Sequence, residues 1–447
     1  MRFASFEELL RHFAQTTPEA PALCFEAHGE KQTRSFAAFY GDVCDRAAVL
    51  EQESSTCLGV LCNGSFACVT EIFAAVKAGK QLVLLNEDCT AEQLAAADAD
   101  ALWGDAELTE ELSPALTGGV KDGRGKLLFF TSGTTAKNKA VVLTEQSLCS
   151  SAFNGGALLP LKNDDVLLCM LPLDHVFGFV CGLLWGLSCG ACVALGRGPR
   201  HYFDDCTFFA PTALSAVPLL LGFLLQKNLL GSTLRLVLIG AGDCPQAIPG
   251  ALKAKGVRVS FGYGLTETSS GVALSLGDDP YAMTVCPDDE ITLDADGEIL
   301  IRTDTCMMQG YYKDDAATAA VLQNGVLRTG DLGAFDAQGL LHIRGRKKEI
   351  LVLRDGTKIF LPEYEAALQP LLPGRDFAVT EQSGAPVLVI FGEESERETL
   401  TRALEGHMRT LPRGQQLKTI RFVNSPLPRT ATGKIKRWSI QQKEEAT

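Results

Sequence analysis

The chain has 447 residues, 46% hydrophobic and 21% charged, which leaves room for two or three structural units with their own cores and excludes a disordered chain. A formal charge of −13 argues against a nucleic-acid surface, because phosphate backbones attract clusters of Lys and Arg and no strong run of them stands outside Arg344 to Lys348. Fifteen cysteines, odd in number and without paired spacing, argue against a disulfide framework and fit a reducing cytosol.

Taken in chain order, Phe6, Leu9, Leu10 and Phe13 share one face of an expected N-terminal helix, where a signal peptide would have an apolar core. Short apolar runs at 58–61, 81–85, 127–130, 166–171, 191–195, 234–239 and 257–261 then alternate with helix-period segments, the pattern of an α/β fold. Residues 176–196 form 21 positions without a charge, with Gly178, Gly182, Gly186 and Gly190 spaced as in transmembrane interfaces. A membrane span is one reading of that segment. Asp174 and His175 at one end, and the glycines themselves, favour a buried, closely packed helix followed by a strand. Cys189 and Cys192 have C-x-x-C spacing, but no second pair or His cluster completes a zinc site, so they read as small buried hydrophobes. Pro211 and Pro218 divide the uncharged segment 207–225 into strand-like and helix-like pieces.

Further along, Asp-Ala-Asp-Gly and Asp-Ala-Gln-Gly turns within 291–301 and near 340–353 read as β-hairpins appended to the α/β body. Beyond Arg346 come a strand, the turn Arg354-Asp355-Gly356-Thr357, a helix from about Pro362, further strands and a basic tail, enough for an α+β domain of about 100 residues. The expected organisation is a large, multi-subdomain α/β domain over 1–344 with appended hairpins, and a small mobile α+β domain over 345–447, joined by a short hinge.

Five clusters carry chemistry. The first, Thr131-Ser132-Gly133-Thr134-Thr135-Ala136-Lys137-Asn138-Lys139, is a small hydroxyl-rich loop between strand-like runs. Hydroxyls and successive backbone N–H groups can surround phosphate oxygens there, while Lys137 and Lys139 supply positive charge. Its residue order is not that of a Walker loop. The others are Leu171-Pro172-Leu173-Asp174-His175-Val176-Phe177-Gly178, Phe261-Gly262-Tyr263-Gly264-Leu265-Thr266-Glu267-Thr268, Arg328-Thr329-Gly330-Asp331-Leu332-Gly333 and Pro428-Arg429-Thr430-Ala431-Thr432-Gly433-Lys434-Ile435.

In this order the five clusters resemble, over nearly the whole chain, the AMP-forming adenylating superfamily of acyl-CoA synthetases, adenylation domains and luciferases. The resemblance implies an enzyme that joins a carboxylate to ATP with release of pyrophosphate and then passes the acyl group to a thiol. Both reactants of the first step are anions, so cations and N–H donors must do the catalysis. The resemblance assigns Lys434 to the carboxylate and α-phosphate oxygens and Glu267 to Mg²⁺. Thr131, Ser132, Gly133, Thr134, Thr135 and Lys139 fall to the phosphates, Thr266 to the nucleotide beside Glu267, and Phe261, Gly262, Tyr263 and Gly264 to the adenine, with the tyrosine ring stacked on it. Gly240, Ala241 and Gly242 line the adenine or acyl side. Asp331 accepts from the ribose hydroxyls, and Arg346 meets the ribose or a phosphate.

His175 packs over the acyl site and shapes it, with no acid–base part. Asp174 lies one place off the Phe-Asp register that amino-acid adenylation domains use, which favours a plain carboxylic acid. Lys348 takes the hinge position, where rotation of the C-terminal domain swaps Lys434 out and opens a thiol channel. The segment 345–365 looks most like the fatty-acid branch, so the expected substrate is a medium- or long-chain acid, with coenzyme A as the thiol and no membrane span. An acyl carrier protein as acceptor, or a homologue that binds acyl-AMP without turnover, are the alternatives. Ala136, Asn138 and Ala140 depart from the glycine and proline of relatives and stiffen the phosphate loop.

Overall fold

The computed structural model describes residues 1–120, 125–131, 139–242, 244–245, 247–352, 358–382, 385–429, 435, 437 and 440. Among these residues the N-terminal part is built on two large sheets. In the first, Pro21–Ala27, Cys192–Leu195, Val166–Cys169, Ala213–Ala216, Leu236–Ile239 and Arg258–Leu265 lie side by side and parallel. These strands are near-continuous apolar runs because helices cover both faces of a parallel sheet.

At Arg258–Leu265 the direction changes. Ser270–Ser275 pairs antiparallel with it, and Met283–Val285, Leu341–Arg346, Val326–Phe335, Glu298–Thr303 and Asp289–Leu293 follow in antiparallel order. The hairpins expected as an appendage therefore continue the main sheet, linked to it through the pairing of Met283 with Leu341. Single-sequence patterning shows the turns but not which edge they join.

The second sheet runs in the order Gly310–Tyr311, Ala140–Thr144, Lys126–Phe130, Gln81–Leu85, Cys57–Leu61, Ala101–Trp103. One aromatic seam ties the two sheets together. Phe6, on the N-terminal helix Phe6–Thr16, packs 4.9 Å from Phe73 and 5.8 Å from Phe179, and Phe179 meets Phe129 edge-on at 5.7 Å. All four are essentially fully buried, each worth about 1.5–3 kcal/mol over exposure.

The uncharged segment folds as its packing reading requires. Phe177–Leu184 is a π-helix continued by the α-helix Trp185–Ser188 and the strand Cys192–Leu195. The glycines are a packing seam: a Cβ on Gly178 would stand 2.0 Å from the Pro172 carbonyl oxygen, and one on Gly186 2.5 Å from Val193. No helix among the described residues is long and apolar enough to cross a membrane. Pro218 opens the helix Pro218–Gln226 at its first position, after the strand Ala213–Ala216. Thr207, read as strand-like, instead lies in the last turn of the helix Tyr202–Phe209, which stops at the left-handed Ala210 just before Pro211. Cys189 and Cys192 are free thiols, as are the other thirteen cysteines.

The smaller C-terminal domain has a separate core. Leu361–Leu368 and Arg397–Met408 pack on the three-stranded sheet Phe377–Gln382, Ala385–Phe391, Thr419–Val423 through Leu368, Val379, Leu388, Ile390 and Leu404. Arg437 closes onto this domain with a bond to Glu365 at 2.6 Å.

Candidate functional site

The third cluster lies where the main sheet turns from parallel to antiparallel, the kind of switch point at which open sheets bind ligands. Strand Arg258–Leu265 enters a short 3₁₀ turn, Thr266–Thr268, and returns as Ser270–Ser275. The return is tight. Thr268 bonds back to Leu265 at 3.1 Å, Ser269 and Ser270 take φ of 56° and 120°, and a Cβ on Gly264 would stand 1.7 Å from the Ser270 carbonyl oxygen. The bare Cα at Gly264 is thus taken up by the strand pairing, and Gly262 faces Leu274 and Leu238 in the interior. Phe261 is buried one position before it.

Two carboxylates stand at the two ends of this element. Tyr263, 9% exposed, donates its hydroxyl to Asp331 Oδ2 at 2.9 Å, while Arg346 Nε reaches Asp331 Oδ1 at 3.0 Å. The sheet register fixes that triad by placing Asp331 opposite Arg346 on neighbouring strands. Burial, then the Asp331 charge, pushes the Tyr263 phenol well above its usual range, so it stays a neutral donor.

Four residues past Tyr263, Glu267 Oε1 accepts a bond from the Tyr311 hydroxyl at 2.6 Å, and its backbone oxygen accepts from the Met308 N–H at 2.8 Å. Lys139 Nζ lies 4.4 Å from the centre of the Tyr311 ring, a cation–π contact of about 0.5–2 kcal/mol. Tyr311 is 8% exposed, and burial, then the Glu267 charge, raises its phenol pKa. Its strand pairs with the one that leaves the phosphate loop, Tyr311 opposite Val141, which brings these three residues together.

The loop itself springs from the antiparallel pair Lys126–Phe130 and Ala140–Thr144, closed by a bond from the Thr131 N–H to the Lys139 carbonyl at 2.9 Å. Ser132, Gly133, Thr134, Thr135, Ala136, Lys137 and Asn138 lie outside the described residues, as does Lys434. Arg429 and Ile435 form an antiparallel bridge on either side of the Lys434 string. Lys348 falls in the 3₁₀ turn Lys347–Glu349, its side chain outside the description. Just before it, Gly345 has φ +134°, a conformation that L side chains rarely adopt, and the Phe360 ring fills the position of its missing Cβ.

On the other flank, His175 begins the turn into the π-helix, its carbonyl accepting from the Phe179 N–H at 2.9 Å. Asp174 beside it is buried, its Oδ1 has no hydrogen-bond partner among the described residues, and burial raises its pKa. Gly240 ends the strand Leu236–Ile239 against the Phe177 ring, where a Cβ would stand 2.8 Å from the ring carbons, and Ala241 follows with φ 63°. A narrow apolar cavity of about 20 Å³, lined by Ser151, Val180, Cys181, Trp185, Leu238 and Cys286 among others, contains none of the motif residues. A larger open groove of about 450 Å³ beside Lys253 and Arg258 contains none of the motif residues and is a surface feature.

Glu267 fits a magnesium ion. It is one hard carboxylate, and no cluster of three or more His, Cys, Asp or Glu able to hold a metal occurs among the described residues. Magnesium is commonly bound in that way, by one or two carboxylates completed by substrate phosphates. Tyr311 lies outside every motif, and Phe177 lies in the second cluster without an assigned role. Neither carries a signal of its own, since an aromatic in an apolar run reads as core.

The chain is similar to known proteins over most of its length. The family model described as AMP-binding enzyme matches residues 121–312. A 2-succinylbenzoate–CoA ligase of Bacillus cytotoxicus is 27% identical over 441 residues, covering 90% of this chain and 91% of that protein. An indoleacetate–CoA ligase of Aromatoleum aromaticum is 32% identical over 71% of this chain and 66% of that one. The Bacillus subtilis O-succinylbenzoate coenzyme A synthetase, solved in complex with ATP and magnesium ion, superposes with a TM-score of 0.81 at 24% identity, covering 97% of this chain and 99% of that one.

Proposed function

The chain belongs to the AMP-binding enzyme family and is an AMP-forming acid–thiol ligase, and from that premise we propose that it activates a compact carboxylic acid rather than a long fatty chain. The reaction couples ATP-dependent formation of an acyl-AMP to transfer of the acyl group onto coenzyme A. One observation carries the site assignment: a single strand and the turn it enters hold Asp331 through Tyr263 at one end and present Glu267 at the other. A carboxylate for ribose hydroxyls and a carboxylate for the metal on the phosphates are what a bound ATP requires, in that order along its length.

In this reading Thr131, Ser132, Gly133, Thr134, Thr135 and Lys139 hold the phosphates, Thr266 meets the nucleotide beside Glu267, and Arg346 orients Asp331. Magnesium at Glu267, when bound, supplies charge neutralisation between ATP and the attacking acid. Lys434 brings a point charge to the reacting oxygens, and Lys348 lies at the hinge about which residues 345–447 turn. His175 and Gly240 flank the acyl group. The Phe177 ring seated on Gly240 supports a compact acid, because it fills space at the strand end that would flank the acyl group. The relatives act on 2-succinylbenzoate and indoleacetate, which gives the fatty-chain expectation no support, and an acyl carrier protein has none among them.

Pyrophosphate release measured with short aliphatic, aryl and long-chain acids tests the reading. Highest kcat/KM for a short or aryl acid is expected. A long-chain preference would overturn the acid class, and no release with any acid would overturn the activity.

A further inference from the structure

We propose that Tyr311 is a positioning residue of the ATP site: it stands between Glu267 and Lys139, keeps these opposite charges from pairing with each other, and so presents one to the metal and the other to phosphate. The inference rests on the reading of Glu267 as the metal carboxylate. Tyr311 engages both groups with one side chain, the hydroxyl on Glu267 Oε1 at 2.6 Å and the ring 4.4 Å from Lys139 Nζ. Among the described residues Glu267 and Lys139 form no ion pair with each other, although one side chain touches both, its hydroxyl the first and its ring the second.

An ion pair between them would consume the two charges that ATP needs. A phenol hydroxyl and an aromatic face are weaker partners, which a metal ion and a phosphate can displace or share. The hydroxyl also takes up one carboxylate oxygen, which orients the other.

The anchoring of Tyr311 is independent of any ligand. Its N–H donates to Thr318 Oγ1 at 2.8 Å, its strand pairs with Ala140–Thr144, and the next residue, Tyr312, donates its hydroxyl to Asp98 at 2.7 Å on the other side. Successive residues of an extended segment point to opposite faces, so the backbone that fixes Tyr312 also fixes the aim of Tyr311.

The two contacts can be separated. Tyr311→Phe keeps the ring over Lys139 and removes the hydroxyl, whereas Tyr311→Leu removes both. Binding of ATP to the full-length enzyme, followed by calorimetry with and without magnesium and with no acid present, gives a readout apart from turnover. Tyr311→Phe should weaken binding of magnesium–ATP by about tenfold and leave metal-free ATP unchanged, the scale of one hydrogen bond to a charged group. Tyr311→Leu should weaken both. In a Glu267→Gln background the effect of Tyr311→Phe should vanish, because the hydroxyl acts through that carboxylate.

If Glu267→Gln alters magnesium dependence while Tyr311→Phe does not, the positioning role fails and the metal assignment stands. If Glu267→Gln leaves magnesium dependence intact, both fail. A thermal melt of Tyr311→Phe within a few degrees of the parent accompanies the expected result. Equal loss for metal-bound and metal-free ATP would mark a merely structural tyrosine and overturn the proposal.

Discussion

Tyr263 and Asp331, 68 positions apart in sequence, are joined by a 2.9 Å hydrogen bond in which the buried phenol donates to the buried carboxylate. Arg346 completes the arrangement from the neighbouring strand, so Asp331 is oriented from two sides before any nucleotide arrives. Tyr263→Phe should therefore leave a buried charge with one donor fewer. We expect a loss of about 1–3 kcal/mol in stability and a severalfold rise in KM for ATP, with kcat changed less. Urea denaturation and initial-rate kinetics read the two effects, and an unchanged KM would detach Tyr263 from the nucleotide.

Lys434 is assigned to the adenylation step alone. Lys434→Ala should lower pyrophosphate release by more than about a hundredfold, the scale of removing a charge that stabilises a transition state. Transfer from supplied acyl-AMP to coenzyme A should stay within a few fold of the parent. Equal loss in both half-reactions would show that this lysine has another task.

Asp289 gives the protein a stability that depends on pH. Burial lifts its pKa to about 7 against the lowering effect of Thr303, while Asn154 Nδ2 offers a long bond of 3.4 Å to Oδ2, and Oδ1 has no hydrogen-bond partner among the described residues. The folded state therefore holds a proton that the unfolded state loses near pH 4, so stability falls as pH rises from about 4 to about 7 and is level above that. Asp289→Asn should remove this fall. The variant's advantage over the parent should grow across that window to about 1–3 kcal/mol at pH 8, as read by urea denaturation at each pH. A constant difference between the two proteins from pH 4 to 8 would contradict the assignment.

Gly264 and Gly250 make a contrasting pair. A methyl group at Gly264 meets the Ser270 carbonyl oxygen at 1.7 Å, so Gly264→Ala should cost about 2–3 kcal/mol, shift the turn that holds Glu267 and weaken binding of magnesium–ATP. Gly250 sits on the exposed face of the helix Ala247–Ala254 with no atom within 4 Å of the added carbon. There the same substitution should stabilise by up to about 1 kcal/mol. Thermal melts of both variants check the sign.

Much of the α/β body was legible from its apolar runs, because a strand buried on both faces leaves an unbroken hydrophobic signature: the run at 81–85 is the strand Gln81–Leu85, and the run at 58–61 is Cys57–Leu61. The segment from 176 to 196 was legible in type but not in form. Its glycines signalled close packing, while the π-helical winding of Phe177–Leu184 and the contact of Phe177 with Gly240 left no mark in the local pattern.

The amino-acid string by itself determined an α/β body and an anion-binding loop, and the order of its five clusters carried the resemblance that implies the reaction class, because the atoms of each cluster are local in sequence. The tertiary structure alone decided that Tyr311 touches both Glu267 and Lys139, that Arg346 faces Asp331, and that Phe177 closes on Gly240. Those contacts join residues from 15 to 172 positions apart, and sheet register rather than local preference sets which of them meet.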